Sequence, residues 1–186
     1  HRLIRRQRQM CIRDRCNSIV GNAWEYLLNH CSLINDFDII WVCVGNTVIE
    51  KKIIQLIKEK VIHKECIILW VEPYLIAGHA LILQKEIDES TEKSIFDVNG
   101  AFNNNVLNDS KEYLKSEAGC QSAYAPYAGF EAQKFVLDFL DVYYRKVYSK
   151  EEKHNYEFTW IGKMKWARQK KFNIKSKWRA KEDRFM

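Results

Sequence analysis

The alternation of apolar and polar stretches along the chain predicts an α/β fold. Residues 39–44, with the sequence IIWVCV, and residues 66–71, with the sequence CIILWV, are continuous apolar runs rich in β-branched side chains. Such runs are typical of strands that are buried on both faces of a parallel sheet. Between them, Thr47 and Glu50 form a capping-box pattern that is followed by apolar residues at helical spacing. The order strand, helix, strand indicates a right-handed βαβ unit.

The rest of the pattern adds helices and strands around this unit. Helical spacing predicts a helix over residues 22–34, and residues 79–84 and 156–160 are predicted strands. Gly129 begins the strongest amphipathic pattern, which predicts a helix of about 18 residues. Residues 85–116 are rich in Asn and Ser and predict a long loop. We therefore predict a partial Rossmann-like, doubly wound sheet with added antiparallel strands and a long C-terminal amphipathic helix.

The formal net charge of +6 is distributed unevenly along the 186 residues. Residues 1–15 contain six arginines and one aspartate, and residues 162–186 contain ten basic and two acidic residues. The residues between them contain 14 basic and 21 acidic side chains, so that an acidic body is flanked by two basic ends. A basic pI of about 8.9 suggests nucleic-acid binding when it is taken alone. Because the net positive charge is confined to the ends, we do not expect nucleic acid as a partner.

The basic N-terminal end has an unusual sequence. Residues 5–14, RRQRQMCIRD, match the translation of a transposase sequencing adapter. A basic nucleic-acid arm and an Arg-rich transit peptide are the alternative interpretations. We expect residues 1–15 to be an adapter-derived artefact. The chain is then a fragment whose own sequence begins near Cys16 and whose parent protein extends further upstream.

We divide the remaining chain into a body, residues 16–150, and a basic C-terminal hairpin or tail, residues 151–186. No stretch approaches the roughly 18 consecutive apolar residues that a membrane helix requires, so we expect no membrane association. The cysteines form no C-x-x-C pair, which argues against a zinc or thioredoxin-type motif and favours a reducing, cytoplasmic location. Cys43 and Cys66 lie inside apolar runs and are interpreted as small core residues.

Three segments together resemble a known enzyme family. They are DFDIIWVCVGN at residues 36–46, IILWVEPYLIAGHA at residues 67–80, and AGCQSAYAPYAGFEAQKF at residues 118–135. In this order and spacing they resemble the C-terminal half of the ThiF, MoeB and HesA adenylyltransferases, the superfamily that includes the ubiquitin-activating enzymes. The similarity covers roughly residues 22–150. It looks closest to bacterial ThiF-domain proteins that are associated with conjugating-enzyme and JAB-peptidase partners.

The resemblance implies an enzyme that binds ATP and magnesium. Such an enzyme adenylates the C-terminal carboxylate of a ubiquitin-like or sulfur-carrier protein and often transfers it to a cysteine. The family's glycine-rich phosphate loop and its adenylating Arg and Lys belong to the N-terminal half, and this chain contains no G-x-G-x-x-G motif. We therefore expect ATP and magnesium to be held mainly by that missing half. A conjugating enzyme as a further partner and a homodimer follow from the resemblance alone.

Three candidate site residues carry the chemistry that the resemblance implies. Cys120 would lie in a crossover loop, where its thiolate attacks the acyl-adenylate, releases AMP and forms a thioester; the alternative is a structural cysteine packed under nearby tyrosines. His79 and Glu72 lie at strand ends, where doubly wound sheets bind ligands. His79 is a candidate for proton transfer or for positioning the carboxyl tail, and Glu72 for binding the substrate. The alternative for both is a structural hydrogen bond.

Gly45 and Asn46 follow the first predicted strand at the edge where a nucleotide would lie. Related enzymes carry an acidic residue near this point that helps to hold magnesium, and Asn46, the nearest counterpart, is uncharged. Hydrogen bonding to the nucleotide is therefore the expected role of Asn46, and Gly45 is a candidate of the same kind or serves only a tight turn. We predict no protein-bound metal site in this chain.

The basic C-terminal segment supports an alternative hypothesis. Trp160, Trp166 and Trp178 are interleaved with lysines, a pattern that suits a nucleic-acid stacking surface. A solvated basic face that covers the acidic body and a docking surface for an acidic protein are favoured over it. The leading hypothesis remains a fragment of an ATP-dependent adenylyltransferase. The alternative is a non-catalytic Rossmann-like module whose basic aromatic tail binds a protein or nucleic acid.

Overall fold

The computed structural model describes residues 19–116, 123–124 and 126–181. Within these ranges the helices are α1 (Ala23–Asn29), α2 (Cys31–Ile34), α3 (Thr47–Lys58), α4 (Glu89–Ile95), α5 (Gly129–Tyr143) and α6 (Met164–Gln169). The strands are β1 (Ile39–Val42), β2 (Glu65–Val71), β3 (Ala77–Leu83), β4 (Lys115–Ser116), β5 (Ala123–Tyr124) and β6 (Tyr156–Ile161). Short 3₁₀ turns span Pro73–Leu75, Ser110–Tyr113 and Ser176–Trp178, and a π-helical turn, Tyr144–Tyr148, extends α5.

Four of the strands form one mixed sheet in the order β1-β2-β3-β6. β1 and β2 run parallel, with α3 in the connection between them. β3 is antiparallel to β2, and β6 is antiparallel to β3. The predicted α/β class is therefore confirmed, and the sheet contains one parallel pair and two antiparallel pairs. A separate two-stranded ladder joins β4 to β5.

Successive side chains of a strand point to opposite sides of the sheet. Both faces are buried, because α3 packs on one of them and α5 on the other. On one face, Cys66 and Ile68 of β2 pack with Ile53, Ile54 and Ile57 of α3. On the other face, a second cluster joins the alternate residues of β2 to α5; its members include Ile67, Leu69, Phe135, Phe139, Tyr143 and Val147. The four-residue spacing along α5 follows the helical period. The amphipathic helix predicted from Gly129 therefore covers the centre of the sheet.

The first strand and its helix begin and end at different residues from those predicted. β1 ends at Val42, so Cys43 is exposed and the interpretation of Cys43 as a core residue is wrong, whereas Cys66 is fully buried. The N-cap of α3 is Asn46 and not Thr47. Its Oδ1 accepts hydrogen bonds from the backbone N–H groups of Val48 (3.0 Å) and Ile49 (3.3 Å). Asn46 takes the N-cap position in place of Thr47, because Asn is among the most favourable N-cap residues.

Two further segments depart from the predicted pattern. The helix predicted over residues 22–34 is broken at His30, whose φ of −133° and ψ of 32° are not helical. The stretch predicted as a loop contains α4, which begins after Asp88. Asp88 Oδ1 accepts a hydrogen bond of 2.7 Å from the Thr91 N–H. α4 buries only Ile95, so its apolar period is too weak to be recognised from the sequence.

The C-terminal segment contributes to the same sheet and to a third apolar cluster. Strand β6 pairs with β3 over its whole length, so the residues on both sides of the boundary predicted at residue 150 pack on one sheet. Met164, Ala167 and Ile174 then pack against Ile76 and Val106. None of the helices in the described ranges is long and apolar enough to cross a membrane.

Candidate functional site

A pocket of about 810 Å³ lies at the carboxyl ends of the parallel strands β1 and β2, under α5. A volume of this size is in the range of small-molecule sites, and the carboxyl edge of a parallel pair is where open α/β sheets bind ligands. No Lys or Arg of the described ranges lines it. The lining residues are Cys43, Val44, Gly45, Leu69, Trp70, Val71, Pro126, Tyr127, Ala132, Phe135 and Val136.

Gly45 connects β1 to α3 at the wall of this pocket. Its φ of +59° lies in the left-handed region, which costs a residue with a Cβ about 1–2 kcal/mol. A Cβ at this position would meet no atom within 4 Å, so the backbone conformation rather than space favours glycine. Asn46 follows as the N-cap, and its side-chain oxygen is used by the helix. Only its amide NH₂ is left for contact with a ligand.

Glu50, in the first turn of α3, is an unusual buried carboxyl group. Its side chain is 1% exposed, and Oε1 has no hydrogen-bond partner among the described residues. Burial raises the pKa of Glu50 to about 7, although the backbone N–H groups of Asn46 and Gly45 hydrogen-bond to the carboxylate and oppose this rise. Glu50 is therefore a titratable group that responds near neutral pH, directly behind the Gly45 turn.

The Cys43 thiol lies at the pocket, close enough to Glu50 to be affected by its charge. Desolvation raises the pKa of Cys43, and the negative charge of Glu50 raises it further. Both effects disfavour the thiolate, which is the reactive form of cysteine. The environment of Cys43 therefore does not activate it as a nucleophile.

Glu72 and His79 form a hydrogen-bonded pair inside the protein. His79 Nε2 donates to Glu72 Oε1 over 2.7 Å, and the side chains are 0% and 2% exposed for His79 and Glu72. His79 Nδ1 lies 3.2 Å from the Thr159 hydroxyl on β6. The Glu72 carboxylate also accepts hydrogen bonds from the backbone N–H groups of Val106 (2.6 Å) and Leu107 (2.8 Å). Both carboxylate oxygens of Glu72 therefore accept hydrogen bonds. The Glu72–His79 pair thereby holds the backbone of residues 106–107 against the sheet.

A stack of aromatic rings continues from this pair to the pocket. The His79 ring stacks on Trp70 at 4.9 Å, and Trp70 stacks on Phe102 at 4.0 Å. Trp70 Nε1 donates a 2.9 Å hydrogen bond to Asn105 Oδ1. Trp70 is among the residues that line the pocket, whereas Glu72 and His79 are not. A substrate in the pocket would meet Trp70 and not His79.

The connection between β2 and β3 has a strained backbone. Tyr74 and Leu75 have φ values of 59° and 52°, which are rare for residues with a side chain. The Tyr74 N–H donates to the Pro126 carbonyl oxygen, and the Leu75 N–H donates to the Glu72 carbonyl oxygen over 2.9 Å. Strain of this kind persists only where the surroundings determine the conformation, and it is concentrated at functional sites.

The structure brings some of the sequence-predicted site residues together and separates others. Gly45 lines the pocket, Asn46 follows it as the N-cap of α3 and is not a lining residue, and Glu72 and His79 contact each other. Cys120 lies outside the described residues, so its predicted role stays a prediction. Across the described ranges, no three His, Cys, Asp or Glu side chains are grouped so that they could hold a metal ion.

Neither models of protein families, nor curated proteins, nor solved structures match this chain.

Sequence reasoning missed two polar residues of this region. The sequence places Glu50 in a capping-box pattern, which does not indicate that its side chain is buried. Thr159 completes the chain of hydrogen bonds through His79 to Glu72. The available signal for Thr159 was a polar residue in a strand pattern of large apolar and aromatic residues, between Phe158 and Trp160.

Proposed function

We propose that this chain is the C-terminal half of a ThiF-type adenylyltransferase. It would activate the C-terminal carboxylate of a ubiquitin-like or sulfur-carrier protein with ATP and magnesium. The observation that carries the proposal is the pocket at the carboxyl ends of β1 and β2, which is lined in part by Gly45 in the connection to α3. A doubly wound arrangement completed by the N-terminal half would place a nucleotide at this edge.

The chemistry of the pocket suits the less polar part of a nucleotide. Most of its lining is aliphatic or aromatic, with Trp70, Tyr127 and Phe135 as the rings. Such walls favour a planar base by burial of apolar area. The described residues of the lining include no cation for the phosphates. In this proposal an N-terminal half would hold ATP and magnesium.

The candidate residues take different roles in this proposal. Cys120 would form the thioester that precedes transfer, with a conjugating enzyme as a further partner and a homodimer as the working assembly. Glu72 and His79 would act as positioning residues, because their hydrogen bonds fix the end of β2 that forms one wall of the pocket. Gly45 and Asn46 would form the turn at the nucleotide.

The direct test is ATP–pyrophosphate exchange with the chain joined to the upstream sequence that the proposal requires. The exchange should depend on the ubiquitin-like or sulfur-carrier protein. Ala132→Phe fills the pocket from α5 and should raise the KM for ATP at least tenfold. Gln133→Phe introduces the same ring at the adjacent, exposed position and serves as the control. Absence of exchange, or equal effects of the two variants, contradicts the proposal.

A second measurement tests Cys120. Incubation with ATP and the carrier protein should give an adduct that is cleaved by thiols, and Cys120→Ser should abolish the adduct while exchange persists. Cys43→Ser is the matched control, because Cys43 is exposed and its thiolate is disfavoured. An adduct that survives in Cys120→Ser removes Cys120 from the mechanism and leaves the adenylation step standing.

A further inference from the structure

The C-terminal part of the described chain forms a strongly basic surface that the proposed adenylation does not use. Between Gly162 and Lys181 the sequence contains nine Lys or Arg and no Asp or Glu. Seven of these side chains are exposed, and we call them the basic surface: Lys165, Arg168, Lys170, Lys171, Lys177, Arg179 and Lys181.

The basic surface is part of the folded body and not a flexible tail. Met164 and Ala167 of α6 are fully buried, and Ile174 is 4% exposed. The Asn108 N–H donates to the Asn173 carbonyl oxygen over 2.9 Å, and the Lys175 N–H donates to the Val106 carbonyl oxygen over 2.8 Å. A surface that is ordered before binding loses little conformational entropy when a partner docks.

The protein's own carboxylates neutralise the inner lysines of this segment. Lys163 Nζ lies 2.6 Å from Glu131, and Lys175 Nζ lies 3.7 Å from Asp97. Within the described ranges, no carboxylate lies within 4 Å of Lys170, Lys171 or Arg179. Among the described residues, these three side chains are therefore not neutralised by an ion pair.

The two exposed arginines fix the backbone of the segment without losing their charge. The Arg179 guanidinium donates to the Ile174 carbonyl oxygen over 3.2 Å, and Arg168 donates to the Lys181 carbonyl oxygen. A carbonyl oxygen accepts a hydrogen bond but carries no net charge, so the positive charge persists. Desolvation is the largest cause that lowers the pKa of Lys177; the charge of Lys175 lowers this pKa further, and the nearby Glu157 carboxylate opposes both effects.

The aromatic side chains of the segment argue against single-stranded nucleic acid as the partner. Tyr113 stacks on Phe172 at 4.2 Å, and Trp166 packs against Phe172 and Tyr74 at 5.3 Å each. These half-buried rings contact one another, whereas proteins that bind single strands present open ring faces on which bases stack.

Paired acidic side chains argue against one part of a second copy as the partner. Glu92 is paired with Lys58 at 2.6 Å and Glu86 with Lys60 at 2.7 Å. Docking of the basic surface on this part of another copy would exchange one set of ion pairs for another. Little electrostatic free energy would be gained from such an exchange.

We propose that the basic surface docks an acidic polypeptide segment of another protein. Positive charge on a fixed scaffold is complementary to a run of Asp and Glu and accelerates their association. The proposal is independent of the adenylation function, because none of the seven residues lines the pocket.

The test is fluorescence anisotropy with a labelled Asp/Glu-rich peptide and a single-stranded oligonucleotide of equal length. The triple substitution Lys170→Glu, Lys171→Glu and Lys181→Glu should weaken the peptide Kd at least about tenfold at about 0.1 M salt. Lys85→Glu, Lys115→Glu and Lys146→Glu, all exposed and outside the basic surface, change the net charge equally. This control should alter the Kd less than about twofold.

Three outcomes overturn the proposal. Equal weakening in the test and control triples means that only net charge matters. Tighter binding of the oligonucleotide, with displacement of the peptide, assigns the surface to nucleic acid. A dimer in sedimentation that the test triple dissociates assigns it to a second copy. Circular dichroism checks folding, and Lys→Gln substitutions at the same three positions replace the test triple if it does not fold.

Discussion

The buried Glu50 carboxyl group makes the stability of the fold depend on pH near neutrality. We consider Glu50→Gln, which keeps the shape of the side chain and removes its titration. The Gln oxygen can still accept the backbone N–H groups of Gly45 and Asn46 that oppose the rise in pKa. The variant therefore isolates the cost of placing a negative charge in this environment.

The expected magnitude follows from the pKa. The value rises from 4.5 for the free side chain to about 7 in the folded protein. The folded state therefore binds more protons than the unfolded state between these values, and the free energy of unfolding falls as the pH rises from 4.5 to 7. Since tenfold in proton affinity corresponds to about 1.4 kcal/mol, the cost of ionised Glu50 reaches about 3 kcal/mol above pH 7.

Urea denaturation of the wild type and Glu50→Gln at pH 5 and pH 8 measures this cost. The variant should be more stable than the wild type by up to about 3 kcal/mol at pH 8, and the difference should shrink to below about 1 kcal/mol at pH 5. Glu59→Gln, at the exposed C-cap of the same helix, is the control and should not show this change with pH. A Glu50→Gln difference that is the same at both pH values refutes the reasoning.

Three other substitutions or modifications test the interior of the fold. Glu72→Gln places an NH₂ group against a backbone N–H or the His79 ring and should lower the free energy of unfolding by about 2–4 kcal/mol, measured by urea denaturation; no loss would mean that the pair does not brace the 106–107 backbone. Gly78→Ala puts a Cβ 2.6 Å from the Phe135 ring and should cost about 1–3 kcal/mol, recovered in part by Phe135→Leu. Iodoacetamide at pH 8 should label exposed Cys43 at least about 100-fold faster than Cys66, whose pKa burial raises to about 12; comparable rates in mass spectrometry would contradict the exposed end of β1.

The central elements of the fold could be predicted because their sequence signal is local. β2 is a continuous apolar run, and α5 repeats a large apolar residue every fourth position from Phe135 to Val147. The end of β1 was not predictable, because Cys43 and Val44 continue the apolar run and only the turn at Gly45 forces them out of the strand. The short helix α4 could not be predicted, because its sequence signal consists of one N-cap residue and one buried residue.

The arrangement of the candidate site depends on contacts that are distant in sequence. The edge position of Gly45 and Asn46 follows from the βαβ pattern. The environment of Glu72 does not, because its partners are backbone N–H groups 34 and 35 residues away, and any residue type can supply a backbone N–H. The sequence therefore indicated that Glu72 and His79 lie near each other at a strand end, but not that they are buried together.

The connection from Glu72 to Ile76 links the pocket to the basic surface. The Tyr74 N–H donates to Pro126, a pocket-lining residue, while the Tyr74 ring packs against Trp166 at 5.3 Å. The two left-handed residues, Tyr74 and Leu75, cost of order 1–3 kcal/mol each, so these contacts must offset that cost. The short connection therefore contacts the pocket through Pro126 and the segment that carries the basic surface through Trp166.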